Sequence, residues 1–363
     1  MTTPARPLPP ADRTWVDVDL DALRANARTV AEVSGARLLP MVKANGYGLG
    51  AVPVARALEA VDPWGFGVAA VEEGIELRAA GISRPIVLFT PPLPGWLPAV
   101  RAHRITPGIA DLEALRAWIA LDPAAPFHVA IDAGMCRGGF PAHDAAALSE
   151  LRRLLRGASG YEGAFTHFHS ADTDAGSTGA SWRAFHDAVA ALGPRPALLH
   201  AANSAAALAG REFAADLVRP GIFLYGGRAG AGLPAPAPVA TLKSRVVSVR
   251  RLRSGETVSY GGTWRAPGPV TVATVAIGYA DGLPRAFAPR GVMHGGGRNL
   301  PVRGRVTMDM TVVESGEAVQ PGDEVTVFGE ALPIDAQAER AGTIAYELLT
   351  SLGRRVDRRY RGA

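Results

Sequence analysis

The stretch MVKANGYGLG, residues 41–50, carries the strongest structural signal in this sequence, because an apolar run ends in it at a single lysine. The run Leu38–Val42 predicts a buried strand, and the three glycines that follow Lys43 cannot continue a strand. Lys43 therefore lies in a turn at the carboxyl end of a strand. A lone lysine at such a place often extends its amine to solvent. If it is buried instead, its pKa falls and the amine becomes free to form an imine with an aldehyde cofactor.

Length and composition indicate a globular protein with room for two domains: 363 residues, of which 48% are hydrophobic and 20% are charged. No apolar run approaches the roughly 20 residues of a membrane-spanning helix. The proline-rich start, residues 1–14, lacks the hydrophobic segment of a secretory signal and is interpreted as a loose tail. The one cysteine, Cys136, excludes an internal disulfide and a cysteine-based zinc site. We therefore expect a cytoplasmic protein that binds no metal.

Basic residues are concentrated near the end of the chain, at residues 354–361, although the formal net charge is only +4. A nucleic-acid site requires a basic face interleaved with aromatic side chains. The pattern is more typical of a solvated basic tail, and we expect neither a nucleic-acid partner nor a membrane partner.

The first two-thirds of the chain alternates short apolar runs with amphipathic stretches rich in alanine and leucine, which is typical of an α/β fold. Eight strand–helix units are what an eight-fold β/α barrel of the TIM type requires, whereas a doubly wound sheet usually has fewer. The predicted strands are Arg37–Val42, Phe66–Ala69, Pro85–Phe89, Ile105–Ile109, Phe127–Ile131, Gly163–His167, Ala197–His200 and Leu217–Ile222.

The sequence changes character near residue 230, where a linker rich in glycine and proline is followed by alternating β-type runs. These runs predict a mostly β C-terminal domain, and we assign residues 12–235 to the barrel and 236–363 to the β domain. The predicted elements of the second domain are strands at Leu242–Arg250, Pro269–Ile277, Arg305–Val313 and Glu324–Gly329 and one helix at Asp335–Leu352.

Catalytic and cofactor-binding groups of β/α barrels lie at the carboxyl ends of the strands. In chain order the predicted strand ends carry Lys43, Arg137, His167, Asn203–Ser204 and Arg219–Ile222. The loops after the seventh and eighth strands commonly hold a phosphate with backbone N–H groups and a hydroxyl, and Ser204, Gly221 and Ile222 match that need. A lysine amine combined with a phosphate cradle indicates pyridoxal phosphate.

Specific motifs occur in order along almost the whole chain: VKANGYG (42–48), DAGMCR (132–137), THF (166–168), ANS (202–204), VRPGI (218–222), VSYG (258–261), IGYADG (277–282) and GRVTMD (304–309). Together they resemble the alanine racemase family, enzymes that use pyridoxal phosphate and consist of a barrel and a C-terminal β domain. The resemblance implies racemisation of a small amino acid, most simply L-alanine and D-alanine.

The resemblance implies that two bases flank the α-carbon of the substrate. Lys43 would bind the cofactor and act on one face, and Tyr260 would act on the other. In the family this tyrosine enters from the β domain of the partner subunit, which implies a homodimer with shared active sites. Since an isolated phenol has a pKa of about 10, a chain Tyr260–His167–Arg219 would supply positive charge that stabilises the phenolate.

The remaining site residues are likewise implied by the resemblance. Tyr47, Ser204, Gly221 and Ile222 would hold the cofactor's phosphate. Arg219 would face the pyridine nitrogen and, with a pKa above about 12, would not protonate it. Less negative charge would then enter the ring, and side reactions such as transamination would be fewer.

The resemblance also implies how the substrate is held. Arg137 and the backbone at Met308 would bind the substrate carboxylate, while Tyr279 and Met308, both from the partner, would narrow the entrance and favour a small side chain.

The chain departs from the family at Ala130, where many members have a lysine that is modified to a carbamate and orients the arginine that corresponds to Arg137. A second departure is Arg354, near the place where some members have an aromatic residue. Both leave open a racemase of another amino acid, such as serine or a precursor of a specialised metabolite. A decarboxylase that uses pyridoxal phosphate and a non-catalytic protein that binds it are the further alternatives. Arg219 argues against the first and the β domain with Tyr260 against the second.

Overall fold

The computed structural model describes residues 12–193 and 195–362, so residues 1–11 of the predicted loose tail lie outside the described residues. The chain forms two compact units. The barrel unit comprises residues 24–224 and 228–236, and the β unit comprises the described residues up to Leu23 together with 225–227 and the chain from Ala237 onward. Along the described residues, no helix combines the length and apolar character needed to cross a membrane.

The strands are β1 (Thr14–Asp19), β2 (Arg37–Leu38), β3 (Phe66–Val68), β4 (Ile86–Leu88), β5 (Thr106–Ile109), β6 (Phe127–Asp132), β7 (Phe140–Pro141), β8 (Tyr161–Phe165), β9 (Leu198–His200), β10 (Leu217–Val218), β11 (Ala240–Leu252), β12 (Thr257–Val258), β13 (Trp264–Arg265), β14 (Val270–Val275), β15 (Val292–Gly295), β16 (Arg298–Pro301), β17 (Thr311–Glu314), β18 (Glu324–Phe328) and β19 (Asp357–Arg361).

The α-helices are α1 (Leu20–Ser34), α2 (Lys43–Tyr47), α3 (Ala51–Glu59), α4 (Val71–Ala79), α5 (Leu97–Ala102), α6 (Leu112–Leu121), α7 (Ala145–Leu155), α8 (Ala175–Leu192), α9 (Ser204–Leu208), α10 (Ile334–Ala341) and α11 (Ala345–Thr350). Short 3-10 helices cover Pro94–Trp96, Ile222–Tyr225, Tyr260–Gly262, Tyr279–Asp281 and Arg285–Phe287.

The barrel unit is a parallel sheet in the order β2-β10-β9-β8-β6-β5-β4-β3, with β7 added beside β6. A parallel bridge between Met41 and Gly67 joins the continuation of β2 to β3, so the first and last strands of the order meet. This confirms the predicted eight-fold β/α barrel. The strands β2 and β10 are shortened most, from six predicted residues to two, because Pro40 and Pro220 lack the N–H that would extend them. A buried cluster of the barrel comprises Leu39, Val87, Leu198 and Leu217, with Trp64 and Phe89 packed against it.

The β unit contains the sheet β16-β15-β18-β11-β1-β19, and β14 pairs with both β11 and β17. The predicted mostly β character of the C-terminal part is therefore confirmed. Residues 12–23 were predicted with the barrel, but β1 lies in this sheet, antiparallel to β11 and parallel to β19. The reason is that both faces of β1 are apolar and buried in the β unit: Val16 and Val18 on one face are 0% exposed, and Trp15 on the other is 2% exposed.

Two predicted elements of the β unit differ from the structure. The single helix predicted over Asp335–Leu352 is split into α10 and α11, because Gly342 adopts a left-handed conformation (φ 69°) that ends the first helix. The strand predicted from Arg305 begins only at Thr311. Before it, a turn is closed by the hydroxyl of Thr307, which donates to the carbonyl of Met310 at 2.8 Å.

A buried carboxylate ties together two loops of the β unit. Asp281 is 0% exposed and forms ion pairs with Arg13 and with Arg355, the latter at 2.7 Å from Nε. Its Oδ2 also accepts the backbone N–H of Gly278 at 2.9 Å. Arg355 in turn donates to the carbonyl of Met308 and to Asp309. The turn at 278–282 and the loop at 307–310 are therefore held in one arrangement.

We expect Asp281→Asn to lower the free energy of unfolding by about 2–4 kcal/mol, because it leaves two guanidinium groups around a buried neutral amide. The two arginine side chains are 34% and 43% exposed, which favours the lower end of that range. Urea unfolding of the purified protein measures the change. Asp309→Asn is the control, since that carboxylate is half exposed and its loss should cost under about 1 kcal/mol. Equal losses in the two variants would contradict the structural role of Asp281.

Candidate active site

The turn that carries Lys43, the short element α2, is a run of left-handed backbone and not a regular right-handed helix. Residues 44–47 have φ values of 52°, 54°, 59° and 53°, and Gly48 follows at 80°. A left-handed conformation costs roughly 1–2 kcal/mol for each residue that is not glycine, and such strain is concentrated at functional sites. Asn45 is well suited to it and accepts the backbone N–H of Ala51 at 3.0 Å through Oδ1. The turn brings Lys43 and Tyr47 into the same region from one short segment.

Glu73, which the sequence reasoning missed, fixes this turn. Its Oε1 accepts the N–H of Ala44 at 2.6 Å, and its Oε2 accepts the N–H groups of Ala69 and Ala70 at 2.8 and 3.1 Å. One carboxylate thus joins the lysine turn to the segment that follows β3. The signal in the sequence was an acidic residue in the first turn of a helix directly after a predicted strand.

Lys43, Arg137 and His167, which the sequence placed at three different strand ends, line one cavity of about 440 Å³. This size is within the range of small-molecule sites. Burial lowers the pKa of Lys43, and the positive charges of Arg137 and Arg219 lower it further, while the carboxylate of Glu73 opposes them. A larger fraction of the Lys43 amine is therefore unprotonated than in an exposed lysine, and only that form can act as a nucleophile or accept a proton.

Arg219 is 4% exposed, and its terminal nitrogens are surrounded by acceptors from two strand ends. One donates to the carbonyl and to Nδ1 of His200, at 2.7 and 3.0 Å. The other donates to the carbonyls of Thr166 and Ala201, at 2.7 and 2.9 Å, and contacts Nδ1 of His167 at 3.2 Å. Within the described part of the chain, Nε–H is the N–H of this guanidinium with no acceptor. It is left available to an acceptor on a ligand.

The charge of Arg219 survives its burial. Burial, followed by the charge of Arg137, lowers the pKa of Arg219 to about 9. The sequence suggested a value above about 12, and the difference is the loss of solvent around the side chain. At neutral pH the group is still protonated, so the expectation that this arginine keeps its proton is unchanged.

His167 is neutral at physiological pH. Burial lowers its pKa to about 3, and the charges of Arg219, Arg137 and Lys43 act in the same direction. Because Arg219 has only donors, the Nδ1 that it contacts must be the acceptor. The proton of the neutral ring is therefore on Nε2, where it is available for donation.

The predicted phosphate residues Tyr47, Ser204, Gly221 and Ile222 are all buried or, for glycine, without a side chain. The N–H of Gly221 donates to Oγ of Ser204 at 2.9 Å. A Cβ added to Gly221 would overlap the hydroxyl of Tyr47, so that phenol closely approaches the same backbone. Two hydroxyl groups and strand-end backbone converge here, which fits a phosphate group.

Arg137 lies on an exposed loop that the side chain of Asp132 holds through hydrogen bonds to backbone N–H groups. Oδ1 of Asp132 accepts the N–H groups of Gly134 and Cys136, each at 3.0 Å. Ala130 lines the same cavity as Arg137 and supplies no acid. The backbone of this loop thus sets the position from which the Arg137 side chain extends.

Tyr260, Tyr279 and Met308 belong to the β unit and have exposed side chains, at 73%, 43% and 53%. The N–H of Tyr279 donates to the carbonyl of Thr307 at 3.0 Å, which places Tyr279 beside the loop of Met308. The turn of Tyr260 is joined to the same loop because Oγ of Ser259 donates to the carbonyl of Arg305 at 2.7 Å. The three predicted residues therefore lie on connected loops of one unit.

The fold and the site define a class: a β/α barrel that presents a lysine whose pKa is lowered by burial and a buried arginine at the carboxyl ends of its strands, together with a β unit formed mostly by the later part of the chain. Residues 18–229 match the family model described as "Alanine racemase, N-terminal domain", and residues 239–360 match "Alanine racemase, C-terminal domain". The chain belongs to the alanine racemase family.

Relatives of known name agree. The alanine racemase of Acidiphilium cryptum is 38% identical over 94% of this chain and 97% of its own length. The solved alanine racemase of Streptomyces coelicolor A3(2) superposes with a TM-score of 0.90 at 35% identity, covering 97% of this chain and 98% of that one. The alanine racemase of Bartonella henselae, solved with covalently bound pyridoxal phosphate, gives a TM-score of 0.89 at 30% identity, covering 96% and 99%.

The shifted His167 makes stability depend on pH. Its pKa falls from an ordinary 6.5 to about 3 on folding, so below pH 6.5 the unfolded chain binds a proton that the folded chain does not. Stability from this group is complete above pH 6.5 and is lost as the pH falls toward 3; between pH 7 and pH 5 the loss is about 1–2 kcal/mol. Urea unfolding at both pH values should show a smaller loss in His167→Asn. His143→Asn, at an exposed position, should behave as the parent, and an unchanged pH dependence in His167→Asn would refute the assignment.

Proposed function

We propose that this protein interconverts L-alanine and D-alanine with pyridoxal phosphate as its cofactor, using Lys43 and Tyr260 as the two bases. The observation that carries the proposal is the set of groups at the carboxyl ends of the barrel strands. A lysine amine whose pKa is lowered by burial, a buried arginine with an open Nε–H and a pair of hydroxyl groups for the phosphate are what this cofactor requires.

Tyr47, Ser204, Gly221 and Ile222 would hold the phosphate of the cofactor, and Lys43 would hold its aldehyde carbon. When bound, pyridoxal phosphate withdraws electron density from the substrate's α-carbon, so that the α-proton becomes removable. Arg219 would offer its Nε–H to the pyridine nitrogen. Since Arg219 remains protonated at neutral pH, it would donate a hydrogen bond there without transferring its proton.

Lys43 would exchange the proton at one face of the α-carbon. The lowered pKa of its amine supports this role, because a base that operates near neutral pH must be deprotonated for part of the time.

Tyr260 would exchange the proton at the opposite face. The phenol would come from the partner subunit, so that a homodimer shares its active sites and residues 236–363 complete the site formed by residues 12–235 of the other chain. The 73% exposure of Tyr260 in the single chain supports this arrangement. His167 would donate Nε2–H to the phenolate oxygen and stabilise its charge, since Arg219 determines which ring nitrogen carries the proton.

Arg137 and the backbone at Met308 would bind the substrate carboxylate, and Tyr279 and Met308 would limit the size of the substrate side chain. Ala130 favours a second candidate, racemisation of another amino acid such as serine, since the usual modified lysine is absent. A cytoplasmic location is the part of the proposal that rests on cysteine usage alone.

The deciding experiment incubates the purified protein, pyridoxal phosphate and single enantiomers of alanine, serine and other amino acids in deuterium oxide. Chiral separation with mass spectrometry then measures inversion and deuterium at the α-carbon. We expect both with alanine. Inversion of serine alone would move the substrate to the second candidate, and release of carbon dioxide without inversion would identify a decarboxylase.

Tyr260→Phe should retain bound cofactor but lose racemisation by at least about a hundredfold, because one face of the α-carbon loses its base. Deuterium exchange without inversion should persist for one enantiomer. Lys43→Ala should lose the absorbance of the cofactor–lysine imine. A Tyr260→Phe variant that inverts alanine as fast as the parent would show that another group is the second base.

Gly221→Ala should weaken pyridoxal phosphate binding by about tenfold or more, because its Cβ would displace the Tyr47 hydroxyl. Titration of the cofactor into apoprotein, followed by absorbance, measures the dissociation constant. Gly95→Ala is the matched control, since a Cβ there meets nothing within 4 Å. Similar affinities in the two variants would argue against a cradle at Gly221.

A further inference from the structure

A chain of buried imidazole rings leads from Arg219 to a carboxylate at the other end of the barrel strands. Nδ1 of His200 lies 3.0 Å from Arg219, Nε2 of His200 lies 2.8 Å from Nδ1 of His128, and Nε2 of His128 lies 3.3 Å from Oε2 of Glu162. Both histidines are 0% exposed. His200 ends β9, whereas His128 and Glu162 lie near the starts of β6 and β8.

The chain has one possible direction. Arg219 offers only donors, so Nδ1 of His200 accepts, and the proton of the neutral ring is on Nε2. That N–H donates to Nδ1 of His128, which places the proton of His128 on Nε2. The last N–H then donates to the carboxylate of Glu162. Each group is polarised by the next, so the arginine cation and the carboxylate anion reinforce every bond between them.

The surrounding residues leave room for the two imidazole rings of His128 and His200. A Cβ at Gly163 would lie 2.9 Å from three atoms of the His128 ring, so that ring packs where β8 lacks a side chain. The ring of His200 stacks on Phe165, with ring centroids 5.2 Å apart and an interplanar angle of 18°. Burial of His200 lowers its pKa well below the ordinary value, which is consistent with a neutral ring.

We infer that Glu162 and His128 are positioning residues for the reaction: through His200 they hold one terminal nitrogen of Arg219 and so fix how its Nε–H is presented to the ligand. This inference rests on the proposed function. Neither residue contacts the cavity that contains Lys43. The expected defect is therefore poorer control of the cofactor ring, with little change in substrate affinity.

The first test examines the hydrogen bonds themselves. Two-bond 15N–1H spectra of histidine-labelled protein should show His200 and His128 as neutral rings with the proton on Nε2. In Glu162→Leu the last acceptor is lost, and the signals of His128 should change while those of the exposed His143 stay. A proton on Nδ1 of His200 would overturn the inference, whether or not the protein racemises alanine.

The second test compares Glu162→Leu, which removes the acceptor, with Glu162→Gln, which keeps an acceptor oxygen and removes the charge. We expect kcat for alanine racemisation to fall about tenfold in the leucine variant and under about threefold in the glutamine variant, with KM within about twofold of the parent. Glu59→Gln, a half-buried glutamate on α3, should match the parent.

A readout that a purely structural role would not change is the side reaction in which the substrate amino group moves to the cofactor and one pyruvate is released per cofactor. Pyruvate formed per racemisation, measured with lactate dehydrogenase and NADH, should rise several-fold in Glu162→Leu and less in Glu162→Gln. Unchanged kcat and pyruvate yield in folded, cofactor-loaded Glu162→Leu would refute the inference.

If Glu162→Leu does not fold, the glutamine variant and His128→Gln decide by the same two readouts. A parent protein that racemises no amino acid would instead refute the proposed function. The 15N spectra would still test the hydrogen-bonded chain from Arg219 to Glu162.

Discussion

The site depends on one buried guanidinium. A cation removed from water is tolerated only where its N–H groups meet acceptors, and Arg219 finds them on the backbone of Thr166, His200 and Ala201. These residues lie at or just beyond the ends of β8 and β9, where carbonyl groups leave the ladder of the sheet and need new donors. Arg219, just after β10, supplies them. A single side chain thus joins the ends of three strands.

In the lysine turn the unfavourable feature is a strained backbone, and the group that stabilises it is an anion, the carboxylate of Glu73. A left-handed run carries both Lys43 and Tyr47 within one five-residue segment. Its strain must be balanced elsewhere, and Glu73 contributes by accepting a backbone N–H from the turn and two from the residues after β3. The same carboxylate raises the pKa of Lys43 against the effects of burial and of the two arginines. Glu73 therefore affects both the conformation of the turn and the pKa of Lys43.

The barrel and much of its site were predictable because each signal is local. An apolar run gives a strand, and in a parallel barrel all carboxyl ends meet on one face, so the sequence alone groups Lys43, Ser204 and Arg219 on that face, where their roles stay predictions. The pairing of β1 with β11 was not predictable, since Trp15 and Lys243 are far apart in the chain and no periodicity records their contact.

Buried polar groups inside the barrel were missed for a different reason. His200 ends a predicted strand. The sequence pattern of a histidine in an apolar run does not distinguish a side chain that only packs from one that forms hydrogen bonds. The distance of 3.0 Å between Nδ1 of His200 and Arg219 shows that this histidine forms a hydrogen bond. The roles of Tyr260, Tyr279 and Met308 come from the resemblance, since exposed loop residues carry no periodic signal.

The departure at Ala130 has an electrostatic consequence beyond the orientation of Arg137. The charge of Arg137 contributes to the lowered pKa values of Lys43, His167 and Arg219. An acidic group at position 130, in the same cavity, would offset part of that charge and allow the lysine to hold its proton more tightly. With alanine there, Arg137 is positioned by a loop that Asp132 shapes through backbone N–H groups. The absence of an acid at 130 thus favours a more readily deprotonated Lys43, at the cost of a less restrained Arg137.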